Sequence, residues 1–250
     1  MLDMIKTTEK TTKTEKASSQ KNVFSLDVSE MQKAGLHFGH KTSKIHPKMG
    51  EYLSGIRNGV HIIDAEKTKE KLHEALTFIQ DVISKGGKIV FVGTKIQAKE
   101  LTKSTAEECK QPYIVNRWLG GTFTNLEVIK KRIDYFKDLE NKKTTGELEK
   151  YTKKERLIFD KELKDLETKL GGIKEMNKLP EAIIVMDMIK DEIAIKEAKQ
   201  KKVKIIAVAD TNCDPTLVDF PIPANDDAMS SVKYILEKIK QAILSIKTND

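Results

Sequence analysis

The chain has 250 residues, of which 45 are lysine or arginine and 38 aspartate or glutamate, giving a formal net charge of +7. That length buries a core without staples, two cysteines are too few for a disulfide framework, and no stretch has the apolar run of a secretory signal or membrane span. A cytoplasmic protein with a polyanionic partner is expected, although the same charge balance also describes a merely solvated surface.

Residues 1–22, including TTEKTTKTEKASSQK, hold almost no apolar side chain after Ile5 and are expected to form a disordered tail. The tail has no arginine and carries Asp3, Glu9 and Glu15, unlike an organelle-targeting peptide. Further on, HFGHKTSKIHPKMG alternates His37, His40 and His46 with Lys41, Lys44 and Lys48 among glycines and a proline. It reads as an irregular loop offering donors to phosphate. The histidine spacing suits a metal, but no cysteine pair or second tight ligand pair joins it, so no metal and no cofactor is assigned.

From His61 the chain alternates short apolar runs with helical patterns. HIID precedes a helix carrying Leu72, Leu76, Ile79 and Ile83 and closed by Gly86, and KIVFVGT precedes one carrying Ala98, Leu101, Thr105 and Cys109. AIIVMD, a helix through Ile195 and Ala198, and KIIAVAD repeat the rhythm. Continuous apolar strands joined by helices predict a parallel sheet. The last helix aligns Met229, Val232, Leu236, Ile239, Ile243 and Ile246 on one face, its start marked by Asn225, Asp226 and Asp227.

Between residues 125 and 170 the strand rhythm stops. Leu126, Ile129, Ile133 and Phe136, then Phe159, Leu163, Leu166 and Leu170, recur at heptad-like spacing in two charged helices around NKKTTGE, which predicts a protruding antiparallel helical hairpin, a coiled coil. The α/β domain is expected on residues 23–124 and 171–250.

Enzyme readings fare poorly. After KIVFVGT comes KIQAK, not a phosphate-cradling glycine pattern, and Gly120–Gly121 and Gly171–Gly172 lie outside strand-to-helix turns. DTNCDP offers Asp210, Cys213 and Asp214 after a strand, but with no histidine nearby in the chain it reads as a turn around a small buried thiol. In NRWLGGTFTN, Trp118 and Phe123 read as core anchors and Arg117 as a contact. Arg57 and Arg117, among only four arginines, lie in glycine-bearing polar segments where a guanidinium fork can hold phosphate.

MQKAGLHFGHKT, HPKM, IRNGVHIID, IVFVGTKIQAK, NRWLGGTFTN, LGGIKEM, LPEAIIVMD, VADTNCDP and PIPANDDA follow one another in order between about Ser25 and Ile246. Together they resemble the bacterial-type small-subunit ribosomal protein number two. The resemblance implies a flavodoxin-like parallel sheet flanked by helices with the helical hairpin, no catalytic activity, and a place in the cytoplasmic ribosome. The implied partners are 16S-type ribosomal RNA and neighbouring small-subunit proteins, including the large messenger-binding ribosomal protein number one. RNA contacts are expected from His37, His40, Lys41, Lys44, Lys48, Arg57 and Asn58, from Lys95 and Gln97 of GTKIQAK, and from Arg117. The lysine- and threonine-rich tail and the scarcity of arginine depart from the usual pattern.

Overall fold

The structure is a computed structural model in which residues 24–247 are described. The expectation of a tail at residues 1–22 lies outside them. Strands β1 (Phe38–Lys41), β2 (Leu53–Arg57) and β3 (Val60–Ile63) form one sheet; β4 (Ile89–Val92), β5 (Tyr113–Ile114), β6 (Ala182–Val185), β7 (Lys204–Ala209) and β8 (Phe220–Pro223) form another. The helices are α1 (Val28–Lys33), α2 (Ala65–Ser84), α3 (Ile96–Glu108), α4 (Leu126–Thr144), α5 (Lys153–Leu170), α6 (Glu192–Gln200) and α7 (Met229–Lys247).

The larger sheet is wholly parallel, in the order β5-β4-β6-β7-β8. Counted along the chain this is 2-1-3-4-5, the order of flavodoxin-like doubly wound sheets, whose ligands sit beyond the carboxyl ends of the strands. Both faces are covered, which is why the strands read as unbroken apolar runs. Ile89, Phe91, Ile184, Ile206 and Val208 face α2, α3 and α7, whereas Val90, Val92, Ile183, Val185 and Ile205 face α6 and the loop holding Trp118 and Phe123. On α7 the stripe Val232, Leu236, Ile239 and Ile243 is buried as its spacing requires. Ahead of it, Asn225 Oδ1 accepts the backbone N–H groups of Asp227 and Ala228 at 2.7 and 2.9 Å. Edge strand β8, FPIP, tolerates two prolines because one side of it needs no ladder donor.

The smaller sheet is antiparallel, in the order β1-β3-β2. It corrects the reading of HFGHKTSKIHPKMG as irregular loop, since Phe38–Lys41 is a strand and Pro47–Tyr52 a 3-10 helix. Four residues carry too little alternation to declare a strand. Only its pairing with β3, Phe38 with Ile62 and Lys41 with Val60, makes it one. Asn58 and Gly59, at φ 52° and 75°, join β2 to β3 in the left-handed turn that suits strand twist.

Helices α4 and α5 pack side by side through Phe136, Leu139 and Leu163, with Phe159 and Leu166 beside them. A capping box between Thr152 and Glu155 starts α5, and Lys143 meets Asp160 across the pair at 2.6 Å. At the other end of the pair, Ile129, Ile133 and Leu170 are buried with Val90 and Val92 in the core of the sheet.

Candidate functional site

The carboxyl edge of the parallel sheet, where α/β proteins place ligands, is occupied by a knot of charge. Lys95 follows β4 and sends its ammonium to Asp187 after β6 at 3.2 Å, and to Asp226 and Asp227 after β8, both at 2.7 Å. Burial pulls the Lys95 pKa down, but those carboxylates more than offset it and hold it above the ordinary lysine value. Burial pushes the Asp226 carboxyl up to about 7. Beside them Asp191, raised by burial to about 6, accepts the Thr94 hydroxyl at 2.8 Å, and Lys190 donates to the Thr94 carbonyl at 3.0 Å.

The small sheet docks on this edge. The His40 backbone N–H donates to Thr211 Oγ1 at 2.9 Å, and the His46 N–H donates to the Thr211 carbonyl at 2.8 Å. A side chain on Gly39 would meet Thr211 at 2.4 Å, so the approach requires glycine. The His40 ring lies 3.1 Å from Asp210 and 3.4 Å from Asp227; contact with the Asp210 carboxylate raises its pKa.

The DTNCDP segment is a turn, as its composition indicated. Asp210 Oδ1 accepts the Thr211 N–H at 2.5 Å, whereas Asn212 faces the His40 ring at 3.3 Å. Cys213 is buried and its thiol is pushed up to about 12 by burial, so it stays protonated at neutral pH and is a poor nucleophile.

The ten sequence-derived contact residues therefore fall into four groups. Lys41, Lys44, Arg57, Asn58 and Arg117 are exposed. Lys48 is exposed too, but already donates to Asp214 at 2.7 Å and Thr216 at 2.8 Å. His37 and Gln97 are half-buried, burial holding the His37 pKa below its usual value. His40 and Lys95 point into the carboxylates. The strand β1 and the Asn58–Gly59 turn bring Lys41, Arg57 and Asn58 onto one small sheet; Arg117 stands apart on the loop before α4.

That loop is organised by a residue the sequence reading passed over. Glu197 of α6, 7% exposed, accepts the backbone N–H groups of Gly121, Phe123 and Thr124 at 2.6, 2.9 and 3.2 Å. Burial pushes its pKa up, but the donors more than compensate, and the net value lies below the reference of 4.5. Trp118 and Phe123 pack edge to face beneath, 4.9 Å apart, as the core anchors they were read to be. Glu197→Ala leaves three donors without their acceptor. At about 1–3 kcal/mol per stranded buried group, less loop relaxation, a loss of about 3 kcal/mol is expected, measured as a lowered urea midpoint at unchanged m. Because the folded pKa is depressed, this contribution is present above pH 4.5 and is lost as pH falls through the folded value, so the variant and the parent should converge in acid.

Sequence spacing concealed Asp187, Asp191, Lys190 and Glu197 because each sits in an ordinary helical or turn context. The pairing of β4 with β6 sets Asp187, Lys190 and Asp191 against Thr94 and Lys95, and the folding of the 121–124 loop onto α6 gives Glu197 its partners.

The description "Ribosomal protein S2" belongs to the family model that matches residues 31–245. The small ribosomal subunit protein uS2 of Dehalococcoides mccartyi strain BAV1 is 45% identical over 218 residues, covering 87% of this chain and 89% of that protein. Its counterpart in strain CBDB1 matches equally, and that of strain 195 is 44% identical over the same length. A match spanning both sheets and the charged edge between them settles the kinship: the chain belongs to the ribosomal protein S2 family.

Proposed function

We propose that this chain is a structural constituent of the small ribosomal subunit, acting in translation by binding 16S-type ribosomal RNA and neighbouring ribosomal proteins in the cytoplasm. The observation that carries this is the family match over residues 31–245. Exposed basic residues on a rigid sheet give it a physical basis. Lys41, Lys44, Arg57 and Asn58 on and around the small antiparallel sheet, with Arg117 on its own loop, offer donors suited to phosphate, whereas His40 ties the small sheet to the parallel one and Lys95 ties together the loops at the carboxyl edge. The α4–α5 pair serves as a projecting coiled-coil arm reaching RNA or a neighbouring protein, and the large messenger-binding ribosomal protein number one is among the partners. The role needs no catalytic group. Among the described residues no helix is long and apolar enough to cross a membrane.

In a sucrose gradient of cell lysate the chain should follow the small subunit at moderate salt. Recovery of nearly all of it as free protein would defeat the proposal. On small-subunit RNA, log affinity should fall linearly with log salt. Replacing Lys41, Lys44 and Lys48 by alanine should flatten the slope by about two units, not three, because each phosphate contact contributes about 0.9 and Lys48 is already engaged by Asp214. An unchanged slope would remove these lysines from the interface.

A further inference from the structure

Helix α6 runs out into KQKKVK, residues 199–204, with four lysines and no acid among them. Lys204 is paired with Asp219 at 2.6 Å. Lys199, Lys201 and Lys202 are exposed and, among the described residues, have no ion pair. The Lys202 N–H donates to the Lys199 carbonyl at 3.2 Å and the Val203 N–H to the Ala198 carbonyl at 2.9 Å, the pair of bonds that closes a helix around a left-handed residue, usually glycine. Lys202 holds that position at φ 58°, where a β-carbon is strained. Those bonds already satisfy the carbonyls, so the lysine is not needed to cap them. Attraction to the helix dipole favours a cation in the last turn, a place Lys199 fills without strain.

Beside these lysines lies an open groove of about 430 Å³. It is lined by Lys199, Lys202 and Lys204 from the end of α6 and the start of β7, and by Thr216 and Leu217 from the turn before β8. Thr216 also accepts the Lys48 ammonium at 2.8 Å, which joins the groove to the 3-10 helix between β1 and β2. A protein partner is held by apolar anchors in desolvated pockets, which an open lysine-lined groove does not offer. A phosphodiester backbone is held by charges spaced along its length.

We propose that this groove is a second seat for the RNA backbone, in which Lys199 and Lys202 contact phosphates beyond those met by the small sheet. It presupposes that the chain binds small-subunit RNA, and it extends the gripping surface from Lys41 and Lys44 past Lys48 to the end of α6. A lysine stands in glycine's place because its charge is used there.

The test is the salt dependence of binding to transcribed small-subunit RNA, compared among the parent chain, Lys199→Ala, Lys202→Gly and the double variant. Each single change should flatten the slope of log affinity against log salt by about 0.7–0.9, and the pair by about 1.5. Lys202→Gly also relieves the backbone, so its thermal midpoint should equal or exceed the parent's while its RNA affinity falls. A lysine with a purely structural role would not separate the two. Lys110→Gly is the control: Lys110 is exposed and holds the same left-handed position after α3, at φ 54°, on the opposite face of the sheet. Its replacement should leave the slope unchanged. Without any variant, bound RNA should shield Lys199 and Lys202 of the parent chain from acetylation, read by mass spectrometry, and leave Lys110 reactive. Unchanged slopes in both single variants, a lowered midpoint in Lys202→Gly, or undiminished acetylation would each overturn the seat. So would variants that bind RNA normally and instead lose a protein neighbour from the small subunit. A parent chain that fails to bind the RNA overturns the wider reading and the seat with it, an outcome distinct from any failure of the variants.

Discussion

Gly172→Ala is expected to destabilise the protein by about 3–4 kcal/mol, the cost of overpacking at its upper end. A β-carbon there would lie 2.2 Å from the Tyr113 carbonyl oxygen and 2.7 Å from its ring, and backbone in a parallel strand has nowhere to retreat. Tyr113 opens β5, so the strain passes directly into an edge of the sheet. The neighbouring glycine provides the control. Gly171 has helical φ and ψ of −53° and −44°, and its nearest contact would be Glu167 Cγ at an ordinary 3.6 Å. Gly171→Ala should therefore change stability by less than about 0.5 kcal/mol, or raise it slightly by restricting the unfolded chain. For a domain of this size the larger loss corresponds to a fall of about 10 °C in the thermal midpoint. Equal midpoints for the two variants would refute the packing account.

A second large effect depends on where the α4–α5 pair is cut. Replacing residues 125–170 by a flexible linker removes Ile129, Ile133 and Leu170, which share a core with Val90, Val92 and Phe123. At about 2–5 kcal/mol for each large aliphatic truncated, the loss is comparable with the whole stability of a typical domain, about 5–15 kcal/mol. The cooperative thermal transition should vanish. Replacing only residues 138–161 keeps Phe136, Leu163 and everything below them and removes mainly Leu139, Leu148 and Phe159. This shorter deletion should keep a cooperative transition and weaken incorporation into small subunits. Were the long deletion as stable as the short one, the lower seam would carry no weight in the core.

What the sequence disclosed and what it hid follow from the range of the interactions. Strands β4, β6 and β7 were legible because a strand covered on both faces must be apolar throughout, and α2 and α7 because their buried residues recur every three or four positions. The helical pair was also legible as heptads, but not how deeply its root is built into the sheet: Ile129 and Leu126 have the same spacing whether they face a partner helix or a strand. Strand β5, two residues long, and β1, four residues long, exist only through partners far along the chain. At the candidate site the basic residues were singled out as contacts by type and context. Their division into exposed and engaged ones was not, because Lys95 and Lys41 look alike until Asp187, Asp226 and Asp227 are folded up against one of them.

The hydrogen bond from His40 to Thr211 spans 171 positions of the chain, which sets a timetable for synthesis. Residues 38–63 leave the ribosome that makes them long before Thr211 and Asp226 exist. Loop-closure entropy delays contacts of such separation, and domains otherwise fold as they emerge. The antiparallel sheet can pair with itself early, but its dock forms only after the last third has been made. A nascent chain halted before β7 thus carries its lysines on an untethered hairpin, and the surface proposed to grip RNA becomes rigid only when the molecule is nearly complete.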